Sequence, residues 1–181
     1  MAEHAVAVIG SRDLTKIQAG VKLLKVAVPW LVRHGYAVHT GGAQGVDQLA
    51  IRLTKEEGGR VKLFLPWRGY EEAGWRSLLG SEDEVIVYDT HHKAWADSVR
   101  QYHPKGYSLK PGAFKLHARN YGIVEEVKAV LALPPAPYQG GTAQGMRVAD
   151  GLGIALVDLS THVGRDALQE KMRLYRISPV G

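Results

Sequence analysis

Apolar residues along this chain fall into two alternating periods. Ala5 to Ile9 is a continuous, valine-rich apolar run closed by Gly10, the pattern of a strand covered on both faces of a parallel sheet. Leu14, Ile17, Val21, Leu24, Val28 and Leu31 then recur at spacings of three and four, which predicts an amphipathic helix laying one stripe on that sheet. Pro29 lacks a backbone donor and is expected to kink this helix or to start a second, short one. Gly35 stops it, and Tyr36 to Thr40 gives a second strand. Val46, Leu49, Ala50 and Leu53 form the next helical stripe, ended near Gly58 and Gly59, before a third strand from Val61 to Leu65 and the break at Pro66.

Further on, Ala129 to Leu133 and Ile154 to Leu159 predict two more buried strands, with helices near residues 113–127 and 141–152. Strands alternating with helices predict an α/β fold, a Rossmann-like three-layer sandwich with a mainly parallel central sheet. Residues 67–112 break the rhythm. They hold Trp67, Trp75 and Trp95, the tyrosines 70, 88, 102 and 107, and His91, His92 and His103, around a strand-like run from Val85 to Tyr88 and a helix near residues 93–101. Such an aromatic-rich insertion covers a site, makes a subunit contact or forms a local core. Beyond Ser160 a short helix near residues 164–173 and an extended end are expected. No linker divides the chain, so residues 1–181 read as one domain with an insertion at about 67–112.

Composition narrows the function classes. Apolar residues at 45% and charged residues at 23% describe a globular chain. No apolar run approaches the roughly 18 residues of a membrane span. The first residues, Met1 to His4, show no basic leader and run straight into strand pattern, so a cytoplasmic location without membrane contact is expected. Cysteine is absent, which removes disulfides, thiolate nucleophiles and cysteine-based zinc sites. A net charge of +5 favours an anionic partner, although the basic residues are spread along the chain.

Three glycine segments carry the candidate chemistry: Gly10-Ser11-Arg12, Gly41-Gly42-Ala43-Gln44-Gly45-Val46-Asp47 and Gly140-Gly141-Thr142. Glycine lets backbone N–H groups approach an anion, and a helix N-terminus adds partial positive charge. In an open α/β sheet, ligands bind beyond the carboxyl ends of the strands, and all three loops belong to that edge. Ser11 and Arg12 are candidate phosphate donors, the guanidinium in bidentate fashion; equally, Ser11 and Asp13 cap the first helix and Arg12 is solvated. Asp47 either accepts ribose hydroxyls or complements the positive end of its helix. Thr142 caps its helix or touches phosphate. Arg119 and Asn120 lie in a helical stretch before the strand at 129, with Lys115 and Arg119 one turn apart.

The order Gly-Ser-Arg, then Gly42-Ala43-Gly45-Asp47, then Arg119-Asn120 resembles the SLOG superfamily, which includes the DprA/Smf proteins and the LONELY GUY phosphoribohydrolases. Small phage- and plasmid-borne members are similar in their Gly-Gly-Ala-x-Gly-Val-Asp form and in a tryptophan after the third strand, here Trp67. The resemblance spans Val6 to about Leu159. It implies a nucleotide or nucleotide-derived ligand held by Gly10 to Arg12, Gly41 to Gly45 and Gly140 to Thr142, with Asp47 on the ribose and roles for Arg119 and Asn120. It also implies a homodimer or higher oligomer. LONELY GUY enzymes carry a catalytic Glu three residues after the motif Thr, where this chain has Gly145, which argues against that glycosidic cleavage.

Two further readings stay open. One is DprA-like binding of single-stranded DNA through Lys115, Arg119 and the insertion's rings. The other is a hydrolase of a nucleotide N-glycosidic or phosphate bond, for which Asp47 is the best candidate acid or base. No metal ligand set or cofactor motif stands out: adjacent His91 and His92 point apart on a regular element, and a P-loop lysine is absent.

Overall fold

The structure, a computed structural model, describes residues 4–177. The strict alternation of the first strand, β1 (Ala5–Gly10), decides how the layers form. Val6 and Val8 point to one face, while Ala5, Ala7 and Ile9 point to the other. All are buried, which is why the run shows no polar residue. Around β1 the sheet has six parallel strands in the order β4-β3-β2-β1-β5-β6, the others being β2 (Ala37–Thr40), β3 (Val61–Leu65), β4 (Glu84–Val87), β5 (Ala129–Leu133) and β6 (Ala155–Asp158).

The face of Val6 and Val8 is covered by α1 (Gln18–Arg33), α2 (Val46–Glu56) and α6 (His162–Ile177), whose Leu24, Val28, Leu49, Ala50, Leu168 and Met172 complete one core. The opposite face carries α3 (Lys93–Tyr102), α4 (Pro111–Val124) and α5 (Gly140–Gly151), with Trp95, Val99, Ala118, Ile123 and Val148. This is the three-layer α/β sandwich expected from the sequence.

Three local expectations change. Pro29 lies inside α1, which continues through it to Arg33 after a single 3-10 turn at Leu14–Ile17. Lys25, whose carbonyl Pro29 cannot bond, is an exposed residue. The strand at Ile154–Leu159 is not a buried one: among the described residues β6 has a neighbour only in β5, and Ala155 and Leu156 are exposed. The final helix runs from His162 to Ile177, longer than predicted, and the last residues of the expected extended end lie outside the described ones.

Residues 67–112 bring their own strand and helix into the common architecture. β4 pairs with β3, and α3 packs on α4 beneath Trp95. Residues 67–79 fold over the end of α2, where Tyr70 and Trp75 join Ala43, Ile51, Leu63 and Leu65 in a small third core. Trp75 Nε1 donates to the Tyr70 carbonyl at 3.0 Å, fixing that segment's curl.

Candidate functional site

Strand order reverses at β1. The chain moves outward through β2, β3 and β4, then returns to place β5 on the other flank of β1. The loops leaving β1 and β5 therefore part in opposite directions and leave a crevice at their carboxyl ends. A cleft of about 600 Å³ sits there, bounded by Gly10, Ser11, Arg12, Ala43, Asp47, Arg119, Asn120, Gly140, Gly141 and Thr142. A groove of about 650 Å³ between α1 and α6, lined by Lys22, Val26, Arg165 and Met172, lies away from the strand ends and gathers none of the glycine loops.

Gly41, Gly42 and Gly45 do not line the cleft; they let its walls meet. A Cβ on Gly45 would come within 2.3 Å of the Ser11 carbonyl oxygen, and its φ of +94° suits glycine alone. Here the first loop and the start of α2 touch backbone to backbone, with Val46 N–H donating to the Ser11 carbonyl at 3.0 Å. A Cβ on Gly41 would fall on the Arg119 guanidinium. The absent side chain is thus the space that lets Arg119 reach Asp47.

Asp47 and Arg119 are both buried, 5% and 6% exposed, and face each other with Nη1 to Oδ2 at 3.9 Å. Asp47 accepts from the Ala43 N–H at 3.3 Å. Burial raises its pKa to about 6, against the lowering effect of Arg119 and the loop amides. Burial likewise lowers the Arg119 pKa, Asp47 opposing it. The guanidinium lies over the Tyr70 ring at 5.8 Å, and its Nε has no partner.

Arg12 is exposed, 58% of its side chain, yet it is held in place. It pairs with Glu71 and donates to the Tyr70 hydroxyl at 3.3 Å, while the other Glu71 oxygen accepts from the Gln44 N–H. Ser11 Oγ accepts from the Asp13 N–H at 3.0 Å, and Asp13 caps the following 3-10 turn through Thr15 N–H at 2.9 Å. Asp13 therefore caps the turn and Ser11 braces Asp13, with Arg12 tied across to residues 70 and 71.

The opposite wall differs. α5 begins at Gly140 after Gln139, and no side chain caps it. The first N–H groups of a helix have no partner within it, and Gly140, Gly141 and Thr142 border the cleft. Thr142 is buried in the first turn, not at the cap, and Asn120 Nδ2 donates to the Gly141 carbonyl at 3.0 Å, tying α4 to this corner. Gly140 adopts φ +71°, and space is open around it.

Tyr70, Glu71, His117 and Gln139 belong to the site without having been singled out from sequence as site residues. His117 borders the cleft, its pKa lowered to about 4 by burial and then by His103, whose ring lies 4.3 Å away, so it stands neutral near pH 7. The one legible signal was the aromatic density near Tyr70. Among the described residues, no three His, Asp or Glu side chains gather as a metal set. No helix among them is long and apolar enough to cross a membrane.

The arrangement defines a Rossmann-like α/β domain with a cleft at the switch point of its sheet. The comparisons with known proteins give a family match over the first part of the chain and a shared fold over most of it. Residues 1–67, which contain the first two glycine loops, match the family of DNA recombination-mediator protein A. No curated protein sequence matches the chain. Among solved structures, DNA processing protein A from Streptococcus pneumoniae superposes with a TM-score of 0.62 at 21% identity, over 92% of this chain and 56% of that one. This chain thus spans little more than half of that protein. DNA processing protein A from Helicobacter pylori, described for its single-stranded DNA binding mode, gives 0.64 at 14% identity over 97% and 81%. The molybdenum cofactor carrier protein of Chlamydomonas reinhardtii gives 0.58 at 17% over 94% and 86%. At these identities the likeness is one of fold.

Proposed function

We propose that this cleft binds a nucleotide or nucleotide-derived ligand by a phosphate at the carboxyl edge of the sheet. The observation that carries the reading is the uncapped start of α5, whose Gly140, Gly141 and Thr142 border the same cleft as Ser11, Asn120 and the buried Arg119, its Nε unpartnered. Free amides at a helix start are anion donors. Tyr70, Leu116, His117 and Pro135 offer flatter, less polar walls for a base or sugar. Asp47 and Asn120 supply an acceptor and an amide. The site contribution of Gly41, Gly42 and Gly45 is to hold the loops close, and that of Arg12 depends on Glu71.

Charge balance favours a small ligand over a polyanion inside the cleft. Arg12 is matched by Glu71, Arg119 by Asp47 and Lys16 by Asp13, so little net positive charge remains there. A thermal-shift panel of nucleoside phosphates tests this. At a ligand concentration of about 100 times its dissociation constant, apparent stability should rise by roughly 2.7 kcal/mol. No shift with any member would oppose the reading.

One observation supports a second reading, single-stranded DNA on the rim. Lys105, Tyr107, Lys110 and Lys115 are exposed between α3 and the start of α4, whose Ala113 and Leu116 border the cleft, and Trp67 is 38% exposed near the opposite wall. Basic residues interleaved with rings suit a stacked strand. Oligonucleotide binding that falls steeply with salt and is weakened by Lys110→Ala or Tyr107→Ala would favour it. As hydrolase acid or base, Asp47 borders the cleft but is committed to Arg119 and the loop amides; turnover lost in Asp47→Asn with binding kept would assign that role.

A further inference from the structure

We propose that Glu71 is the specificity-determining residue of the cleft: its carboxylate occupies a second anion place, made by the Arg12 guanidinium and the Gln44 amide, and so bars a second phosphate from that side. The inference rests on the phosphate reading of the cleft above.

Three observations converge. Both carboxylate oxygens are used, Oε1 on Arg12 and Oε2 on the Gln44 N–H. These donors come from the two glycine loops that follow β1 and β2, the loops whose sequence suits an anion. A guanidinium and a loop amide around one carboxylate form the same donor set that a phosphate would take. Glu71 is also the only non-glycine with positive φ among the described residues, at +47°. A side chain in that conformation carries a backbone cost that asparagine or glycine would reduce. The segment around it is firmly seated: Tyr70 and Trp75 are buried on either side, and a Cβ on Gly74 would strike Gln48. The strap thus delivers a carboxylate to the loops from a fixed base, and its charge is 22% exposed, open to exchange with an incoming anion.

The consequence is selectivity. One anion place, at the start of α5, has no side chain capping it; the other is filled from within the chain. A ligand with one phosphate meets no conflict, whereas a second phosphate directed at Arg12 must displace Glu71 against charge repulsion.

Amide NMR with inorganic phosphate as the probe separates the two places. In the unmodified protein, phosphate should shift Gly141 and Thr142 and leave Gln44 nearly unmoved. In Glu71→Gln and Glu71→Gly, the second relieving the positive φ, Gln44 should titrate at least tenfold more tightly, and adding Arg12→Ala should reverse that gain. Gly141 and Thr142 report the phosphate reading itself, and Gln44 reports the role of Glu71. Equal Gln44 response before and after substitution, or a weaker one, would overturn the proposal and mark Glu71 as a residue that merely positions Arg12. Gln44 gaining phosphate while Gly141 stays silent would uphold Glu71 and overturn the helix-start site.

Discussion

Arg119 and Asp47 face each other across 3.9 Å in the buried wall of the cleft, a charge pair without a close hydrogen bond between its partners. Removing one partner strands the other. Asp47→Ala leaves a guanidinium that cannot shed its charge, at a cost of roughly 3–5 kcal/mol. Arg119→Met should cost clearly less, because the Asp47 carboxyl, already raised to about 6, can take up a proton. The double variant should be far from additive. Urea unfolding of the three variants checks this; equal costs for both single changes would show that the pair is not electrostatically dominated.

Gly45→Ala and Gly140→Ala have the same chemistry and should have unlike effects. Both glycines have positive φ, but a Cβ on Gly45 meets the Ser11 carbonyl oxygen at 2.3 Å, while one on Gly140 meets nothing. Gly140→Ala should cost about 1 kcal/mol from backbone strain. Gly45→Ala should cost at least about 3 kcal/mol, because the clash is with backbone. Thermal or denaturant unfolding distinguishes them.

Gly141→Asp separates stability from binding. Its nearest neighbour for a Cβ is Asn120 Nδ2 at 3.7 Å, an ordinary contact, and an acid in the first turn complements the helix dipole. Stability should hold or rise by up to about 1 kcal/mol. Phosphate-dependent thermal shift should vanish, since the new carboxylate competes for the same amides. A retained shift would move the anion place elsewhere.

His39 gives the fold an acid-sensitive element. It is 4% exposed beside Phe64, and burial first, then Lys62, lowers its pKa to about 4. Between pH 6.5 and 4 the unfolded chain binds this proton and the folded one does not, so His39 contributes stability that is full above pH 6.5 and lost as pH falls toward 4. His117 acts in the same direction, and Asp47, with its raised pKa, in the opposite one. The informative comparison is therefore His39→Leu against the unmodified chain: its stability should fall less between pH 7 and pH 5, by about 1–2 kcal/mol. Parallel pH profiles would show that His39 does not titrate on unfolding.

The fold was legible wherever burial on both faces erased polar residues, as at Ala5–Ile9. It was less so at the edge: Ile154 to Leu159 reads as a buried strand because an apolar composition does not report that a second neighbour is missing. Pro29 starts no second helix, because one missing backbone donor removes a single bond from α1 and the rest of the helix carries through. In the site, the glycine loops and the Arg119-Asn120 pair announced a common edge, yet Gly41 and Gly45 serve close packing, which composition cannot distinguish from ligand approach. Glu71 was invisible. Its role depends on residues 67–75 folding back over loops far away in sequence, and on one carboxylate reaching Arg12 and Gln44 together.

A crystal grown with AMP tests the central claim most directly. The account predicts its phosphate within about 3 Å of the Gly141 and Thr142 amides, with the base toward Tyr70 and His117. A phosphate bound in the groove between α1 and α6, or an empty cleft at saturating AMP and every other nucleoside phosphate tried, would contradict it.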